Sequence, residues 1–390
     1  MTVRILLKEG RERPVIRGHP WIFSGAIASL EGYTAPGDLC DICAHDGAFL
    51  ARGYVNRHSQ ITCRILSRKD VPIDRELFGE RIERALAYRR DRLPPETDAY
   101  RLINAEGDLL PGLTVDVYGQ GLVCQFHTAG MERWKEQILS LLTDLLRPDF
   151  IFERSDLAAR QEEGLKPFSG LLSGRLDGPV EIQEHGRRFR VDVSAGQKTG
   201  FYLDQRENRR RFASLAGGKT VCDCFCYTGG FSVYAATAGA AAITAVDSSR
   251  AAVDTAAAHL SLNAPDHAAV DLVCQDVFSF LRGSPGPFDL MVVDPPPFAR
   301  KKSDIPGASR GYKDINLWAL KNLNPGGHLL TFSCSRAVDE KLFGQIIFAA
   351  AWDAGREVRI VGRPDMPPDH PVSIFHPQGH YLKGLVLHVL

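Results

Sequence analysis

No stretch of this sequence approaches the ~20 consecutive apolar residues of a membrane-spanning helix, so an integral membrane protein is not expected. Charge of one sign is not in excess. Lysine plus arginine and aspartate plus glutamate number 47 each, so only local patches could argue for a polyanionic partner. The opening residues, with Arg4, Lys8 and Glu9, lack the apolar core of a signal peptide. The cysteines number 9, an odd count, and most sit inside apolar segments, as Cys63, Cys124 and Cys274 do. Cys40-x-x-Cys43 has metal-ligand spacing but no second Cys or His pair at a matching distance, so no metal is expected. A soluble protein of a reducing cytoplasm is the expectation.

What is present is 390 residues of changing pattern, room for two or three domains. Residues 1–72 read as short strands: Arg4–Leu7, Asp38–Ala44, Ala48–Val55 and Ile61–Leu66. Asp46-Gly47, between alternating apolar runs, signals a hairpin. Helical spacing follows over residues 76–92. Residues 73–194 read as a central α+β domain, with strands near 102–104, 113–117, 122–127, 150–153, 180–184 and 189–193. A helix is expected there over Trp134–Leu146, with turns at Glu106-Gly107 and His185-Gly186. Residues 157–179 lack periodicity and are expected to be loop.

From 195 to 390 strands and helices alternate, which predicts a doubly wound, mainly parallel α/β sheet. Its strands are expected at Thr220–Cys224, Ala242–Val246, Val270–Cys274, Leu290–Val293 and His328–Phe332. Helices are expected at Arg206–Leu215, Phe231–Ala238, Arg250–Leu262, Tyr312–Asn322 and Glu340–Ala351. Asn324-Pro325-Gly326-Gly327 reads as a break between helix and strand.

Two of these strands end in chemistry. Leu290-Met291-Val292-Val293 runs into Asp294-Pro295-Pro296-Pro297-Phe298, and Leu329-Leu330-Thr331-Phe332 into Ser333-Cys334-Ser335. Ligands of open α/β sheets bind beyond the carboxyl ends of strands, so both groups could face one crevice. Prolines stiffen the turn, Phe298 can stack on a flat heterocycle, Asp294 can hydrogen-bond its edge and a thiol can attack it. This combination points to a methyltransferase acting on a nucleic-acid base. Taken alone, Asp294 could be a turn former and Cys334 a core thiol. A helix after Cys334 could lower the thiol pKa through its N-terminus.

Acids mark the other strand ends. Asp223 lies inside the first strand, ahead of Gly229-Gly230, unlike a Gly-x-Gly-x-x-Gly fingerprint. A carboxylate there suits an ammonium, as in the methionine end of S-adenosylmethionine. Asp247 ends the second strand, where an acid grips ribose hydroxyls, a feature that fits NAD equally. Asp276 ends the third, where it could meet an adenine amino group or only cap a helix. Three successive strand-end acids are hard to explain as caps alone. Cys222, Cys224 and Cys226 alternate along the first strand and its exit, and their side chains are expected to diverge as buried structural thiols. Arg206, Arg209, Arg210 and Arg211 read as solvated charge. Arg300, Lys301, Lys302, Arg310 and Lys313, beyond the Asp294 turn, are candidates for phosphate contact.

With further motifs, these residues resemble the RlmI family of S-adenosylmethionine-dependent 23S rRNA cytosine-C5 methyltransferases. The resemblance runs through Arg17-Gly18-His19-Pro20-Trp21-Ile22-Phe23-Ser24-Gly25 and Gly53-Tyr54-x-Asn56-x-x-Ser59-x-Ile61. It continues through Gln197-Lys198-Thr199-Gly200-Phe201-Tyr202-Leu203-Asp204-Gln205-Arg206, Gly311-Tyr312-Lys313 and Phe332-Ser333-Cys334-Ser335. Asp369-His370-Pro371 and Tyr381-Leu382-Lys383-Gly384 complete it.

The resemblance implies a PUA domain over residues 1–72, a central domain over 73–194 and a Rossmann-like class I methyltransferase domain over 195–390. It implies S-adenosylmethionine held by Lys198, Tyr202, Gln205, Asp223, Phe225, Tyr227, Gly229, Asp247, Ser248, Asp276, Val277 and Pro295. Cys334 would be the nucleophile, with Asp294 at the base, and 23S ribosomal RNA the partner, met by the basic run; a homodimer is left open. Pro297 departs from the family pattern. No cysteine follows the prolines, unlike two-cysteine RNA cytosine methyltransferases, so the group that removes the C5 proton is not identified. Competing readings are a guanine-N methyltransferase, which needs no thiol, an RNA-binding assembly factor with an inactive fold, and an NAD enzyme.

Overall fold

Strand β1 (Val3–Leu7) buries Val3, Ile5 and Leu7 on one face and exposes Arg4, the period of two that a half-covered strand requires. Helix α1 (Arg13–Ile16) and strand β2 (Trp21–Ile22) follow it. β1 lies antiparallel to β3 (Ile27–Glu31) and parallel to β4 (Asp38–Cys43). With β5 (Phe49–Val55) and β6 (Cys63–Ser67) they form a six-stranded sheet of order β2-β6-β5-β4-β1-β3. The expected hairpin turn forms: Gly47 adopts φ 89° and the Ala44 N–H donates to the Ala48 carbonyl at 2.8 Å. Cys40 faces Cys63, sulfur to sulfur at 3.6 Å, and that contact with burial pushes its thiol well above the ordinary value.

This computed structural model describes residues 3–266 and 269–390. It divides into one unit of Met1–Gly186, Arg190–Leu203 and Pro368–Gly379 and another of Arg187–Phe189, Asp204–Pro367 and His380–Leu390. Within the first, helix α2 (Arg75–Arg90) starts at Asp74, whose carboxylate accepts from the Leu77 N–H at 3.1 Å. It buries Phe78, Ile82, Ala85 and Leu86. The core that these join belongs to β7 (Ala99–Asn104), β8 (Leu113–Tyr118) and β9 (Gly121–Phe126). The helix expected over Trp134–Leu146 is α4 (Lys135–Leu146), and a short helix not expected from the sequence, α3 (Ala129–Arg133), precedes it across Trp134.

Residues 157–179 are loop only in part. After β10 (Phe150–Ser155) they hold helix α5 (Ala158–Glu162) and strand β11 (Phe168–Gly174), and the sheet order is β11-β10-β9-β8-β7. β11 is an edge strand with most side chains in solvent. Its backbone pairs with β10 while its side chains bury little, so no apolar period marks it. β12 (Val180–Glu184) and β13 (Arg187–Val191) form a two-stranded ribbon. At its turn His185 and Gly186 both take positive φ, 48° and 75°, as a tight right-twisted hairpin requires.

The second unit carries the expected alternation: α6 (Arg206–Ala216), β14 (Thr220–Cys224), α7 (Gly230–Thr237), β15 (Ala242–Asp247), α8 (Arg250–Asn263) and β16 (Val270–Cys274). Then come α9 (Val277–Arg282), β17 (Phe288–Val293), α10 (Ile305–Lys321), β18 (Leu323–Ser333), α11 (Glu340–Ala354), β19 (Val358–Gly362) and β20 (Lys383–Val389). The sheet order is β16-β15-β14-β17-β18-β20-β19. Its first five strands are parallel, whereas β20 runs antiparallel to both neighbours.

Three local expectations fail here. α10 begins at Ile305, not Tyr312, because Pro306 is tolerated in a first turn and the glycines that hid the pattern, Gly307 and Gly311, are carried by tertiary packing. Asn324-Pro325-Gly326-Gly327 lies inside β18: Leu323 pairs with Phe288 and His328 with Leu290, so the intervening residues bulge. Cys222 and Cys224 do not diverge. Residues two apart share a strand face, and their sulfurs lie 3.6 Å apart. Among the described residues no helix is long and apolar enough to cross a membrane.

One buried ion pair anchors α2 in the first unit. Arg89 is fully buried and grips Asp108 with two bonds of 2.5 and 2.7 Å, while also donating to the Asp369 carbonyl at 2.9 Å. Asp108→Ala strands a buried guanidinium, and unfolding in urea is expected to show a loss of about 3–5 kcal/mol. A loss below ~1 kcal/mol, the range of a surface pair, would mean that the pair contributes no more than an exposed one.

Candidate active site

The turn leaving β14 is strained. Phe225 and Tyr227, neither of them glycine, take φ of 64° and 48°, and Gly229 takes 76°. Left-handed backbone at a side-chain-bearing residue costs roughly 1–2 kcal/mol, so surrounding contacts must hold it. The Tyr227 N–H donates to Asp247 at 3.0 Å, across from the end of β15. Gly229 is packed so close to α8 that a Cβ would meet that of Ala256 at 2.8 Å. The loop is thus fixed from both sides. The Phe225 ring stands edge-on to Phe278, centroids 6.5 Å apart.

Asp223 lies beneath this loop, 1 % exposed. One carboxylate oxygen accepts from the Ser232 N–H at 3.0 Å and the Ser232 hydroxyl at 2.6 Å, at the start of α7. Desolvation outweighs those bonds and raises its pKa to about 6, helped by the Asp247 charge and opposed by Arg209. The Arg209 charge offsets that desolvation only in part, and an ammonium ligand would offset more of it. Asp247 accepts from Tyr227 and from the Ser249 N–H at 2.9 Å. Asp276 does cap α9, accepting from the Ser279 N–H and hydroxyl at 2.9 Å each, and it is exposed. Val277 behind it is buried; Ser248, after Asp247, is exposed. The strand-end acids of β14, β15 and β16 therefore sit at one edge of adjacent parallel strands, with residues 225–229 above the first.

β17 and β18 run parallel and in register, Val293 beside Thr331, so the Asp294 turn and Cys334 leave the sheet together. The Cys334 thiol lies 3.9 Å from the Pro295 carbonyl, its acceptor. Gln205, 2 % exposed, donates to Asp294 at 2.9 Å and takes a bond from Asn208 at 2.7 Å. Gln205, expected at the cofactor, also orients Asp294. Phe298 packs at 4.6 Å on Tyr312 and against Gly311, so its ring is engaged internally. The helix after Cys334, α11, starts only at Glu340 with Asp339 as its cap, after a turn closed by Val338 N–H on the Ser335 carbonyl.

Lys198 and Tyr202 belong to the first unit, where the Lys198 amine stands 4.4 Å over the Tyr202 ring. In the second unit, Arg206 and Arg209 are 1 % and 2 % exposed, so half of the arginine cluster is not solvated surface; Arg210 and Arg211 are. Arg300, Lys301, Lys302 and Arg310 are exposed. The N–H groups of Arg300 and Lys301 are held by Asp304 at 3.0 Å each, which shapes that loop. Lys313 is paired with Asp353 at 2.5 Å.

Sequence reasoning missed the support around Cys334. The Ser335 hydroxyl bonds the Tyr312 hydroxyl at 2.9 Å and accepts from the Ala299 N–H at 3.0 Å, tying α10 and the proline turn to the Ser-Cys-Ser segment. The Lys383 amine donates to the carbonyls of Ser335 at 2.7 Å and Tyr381 at 2.8 Å. A single lysine at the head of an apolar strand, Lys383-Gly384-Leu385-Val386-Leu387, was the available signal.

Residues 5–68 match the PUA-like domain family and residues 165–381 the S-adenosylmethionine-dependent methyltransferase family. The chain is 47% identical over its full length to Ribosomal RNA large subunit methyltransferase I of Shewanella denitrificans, covering 100% of both. It is 42% identical, with the same coverage, to the protein of that name from Pseudoalteromonas atlantica. Among solved structures, a Streptococcus mutans chain described as a SAM-dependent methyltransferase superposes with a TM-score of 0.85 at 23% identity, each chain covered 100%. Another, a methyltransferase complexed with SAH, gives 0.86 at 24% identity and equal coverage. These structures show the fold.

The Asp223 carboxyl, raised from 3.8 to about 6, has a consequence for stability. The folded chain holds this proton more tightly than the unfolded chain does, so its ionised form destabilises the fold above pH 6 and that penalty fades as pH falls towards 4. Asp223→Asn is expected to stabilise the ligand-free protein at pH 7.5 by roughly 2–3 kcal/mol, with the difference gone near pH 4. Equal urea midpoints for the two proteins at pH 7.5 would show that the carboxylate is not destabilised by burial.

Proposed function

The chain belongs to the S-adenosylmethionine-dependent methyltransferase family, and from that premise we propose that it forms 5-methylcytosine in 23S ribosomal RNA through a bond between Cys334 and C6 of the target base. The carrying observation is the Cys334 thiol beside the Asp294-Pro295 turn, at the ends of two adjacent parallel strands. The cofactor fits the residues present: Asp223, desolvated and with its pKa raised by burial, would take the ammonium, Asp247 the ribose and Asp276 the adenine. When bound it supplies an electrophilic methyl group on sulfonium.

Cytosine C5 is a weak nucleophile, so the chain must first enrich it. The Cys334 thiolate adds at C6, and the electrons of the C5–C6 double bond move towards N3. Asp294, held by Gln205, acts there as the neutral acid, its O–H donating to N3 to steady that charge, since an ionised carboxylate could only accept. C5 then accepts the methyl group. Loss of the C5 proton re-forms the double bond and expels the Cys334 thiolate. The base must leave its stack to reach the pocket, at a cost of a few kcal/mol that falls for single-stranded RNA.

In this reading the PUA-like part (residues 1–72) and the Arg300–Lys302 loop hold RNA, residues 73–194 form a central domain, and residues 195–390 carry out transfer. A reducing cytoplasm suits the nine free cysteines. A guanine-N methyltransferase would leave Cys334 without a purpose, and an inactive assembly factor would not need the acids intact.

Cys334→Ala is expected to abolish methyl transfer while calorimetry shows nearly unchanged affinity for S-adenosylmethionine. RNA with 5-fluorocytosine at the target should trap a covalent complex, because fluorine cannot leave as a proton does. Near-normal turnover by Cys334→Ala would return the thiol to the core and make guanine methylation the leading account. For the basic loop, replacing Lys301 and Lys302 by alanine should weaken RNA binding and flatten its salt dependence by about one to two counterions. A slope equal to the parent's would leave this loop as ordinary solvated surface.

A further inference from the structure

A buried ammonium stands behind the proposed nucleophile. Lys383 opens β20 opposite Ser333 of β18 and is 5 % exposed. Two of its N–H groups reach the carbonyls of Ser335 and Tyr381, which pins it directly behind the Ser-Cys-Ser segment. An ammonium carries three N–H groups, so these two bonds do not exhaust it. Burying a charged lysine is unfavourable without a compensating partner, and two neutral carbonyls compensate only in part. Desolvation accordingly lowers the Lys383 pKa, while the Cys334 charge, with Asp339 and Glu340, acts in the opposite direction.

We infer that Lys383 is the positioning residue of the reaction: it locks the Ser335 carbonyl and sets a fixed positive charge beside Cys334, which favours the thiolate over the thiol. This rests on the reading of Cys334 as nucleophile and supplies what that reading lacks, because α11 starts too late in the chain to be the obvious source of positive potential. The other groups around the pair come from each packed element. Tyr312 of α10 interacts with Cys334 and is itself raised by burial. Asp294 follows β17, and Asp339 and Glu340 open α11. His380, paired with Asp365 at 2.8 Å, lines the same small cavity as Lys383, together with Arg363. None of these others is a buried cation bonded to the Cys334 turn. On ionisation the thiol proton passes to solvent and Lys383 stays an ammonium throughout.

The test reads the thiol directly, without RNA. The rate of Cys334 alkylation by iodoacetamide, followed on its own peptide by mass spectrometry, is measured against pH in the full-length protein. Lys383→Met is expected to move the midpoint up by about one unit or more, with alkylation at pH 7 roughly tenfold slower, and Lys383→Arg to restore most of the shift. Turnover should follow: kcat falls about tenfold at pH 7 and recovers towards pH 9, with KM for RNA unchanged. An unmoved alkylation profile in a folded Lys383→Met protein would overturn the inference. Should that variant not fold, the reciprocal measurement applies. The Lys383 ammonium, followed by its 13Cε shift, must lose its proton at lower pH in Cys334→Ser than in wild type, and equal titrations would overturn the coupling. Failure of the nucleophile reading is separate, since it shows as turnover by Cys334→Ala and leaves the wild-type alkylation profile as it was.

Discussion

The register of β17 against β18 is the constraint on which the rest of the site depends. Parallel strands send their carboxyl ends the same way, and pairing of Val293 with Thr331 makes Asp294 and Cys334 leave the sheet side by side. Shifting this pair by one residue would turn every side chain to the opposite face. The bulge at residues 324–327 lies at the other end of β18, where Asn324 bonds Asp289 at 2.8 Å, so the irregularity is absorbed away from the chemistry. Behind both strands, Met291, Val293, Leu329, Tyr312 and Phe343 form one buried cluster that holds this alignment.

Around that frame the chain accepts local instability. Phe225 and Tyr227 sit in left-handed backbone, Asp223 keeps a carboxyl under apolar cover, and Lys383 keeps an ammonium there. Each is unfavourable by itself, and each is held by hydrogen bonds from a neighbouring element: Asp247 on the Tyr227 N–H, Ser232 on Asp223, the Ser335 and Tyr381 carbonyls on Lys383. Strain and buried charge gather where ligand charge would relieve them. The first unit shows the contrasting use of buried charge: Arg89 and Asp108 satisfy one another and leave nothing for a ligand.

The proline turn has a mechanical role that its sequence suggests only in part. Pro295 is buried and presents its carbonyl to Cys334, whereas Pro296 and Pro297 are exposed. Phe298 turns inward onto Tyr312, and Tyr312 bonds Ser335. The turn, α10 and the Ser-Cys-Ser segment thus form one closed set of contacts, which holds the thiol and the proline turn together.

Periodicity in the sequence was enough to determine the alternating strands and helices of residues 220–274, the hairpin at Asp46-Gly47, the strand-end acids and the pairing of an Asp-Pro-Pro turn with a cysteine. Each is a local signal: an apolar run, a glycine that needs positive φ, a charge where a strand stops. Edge strand β11 escaped because its bonds are all backbone and its side chains face water. The start of α10 escaped because glycines at 307 and 311 weaken helix propensity, and tertiary packing overrides them. Only the folded chain could decide that Gln205 serves Asp294, that Phe298 stacks inward, that two of four arginines are buried, and that Lys383 stands behind Cys334, 49 positions earlier in the sequence. Those are contacts between residues far apart in the chain, set by strand order and packing, and no pattern along a single segment encodes them.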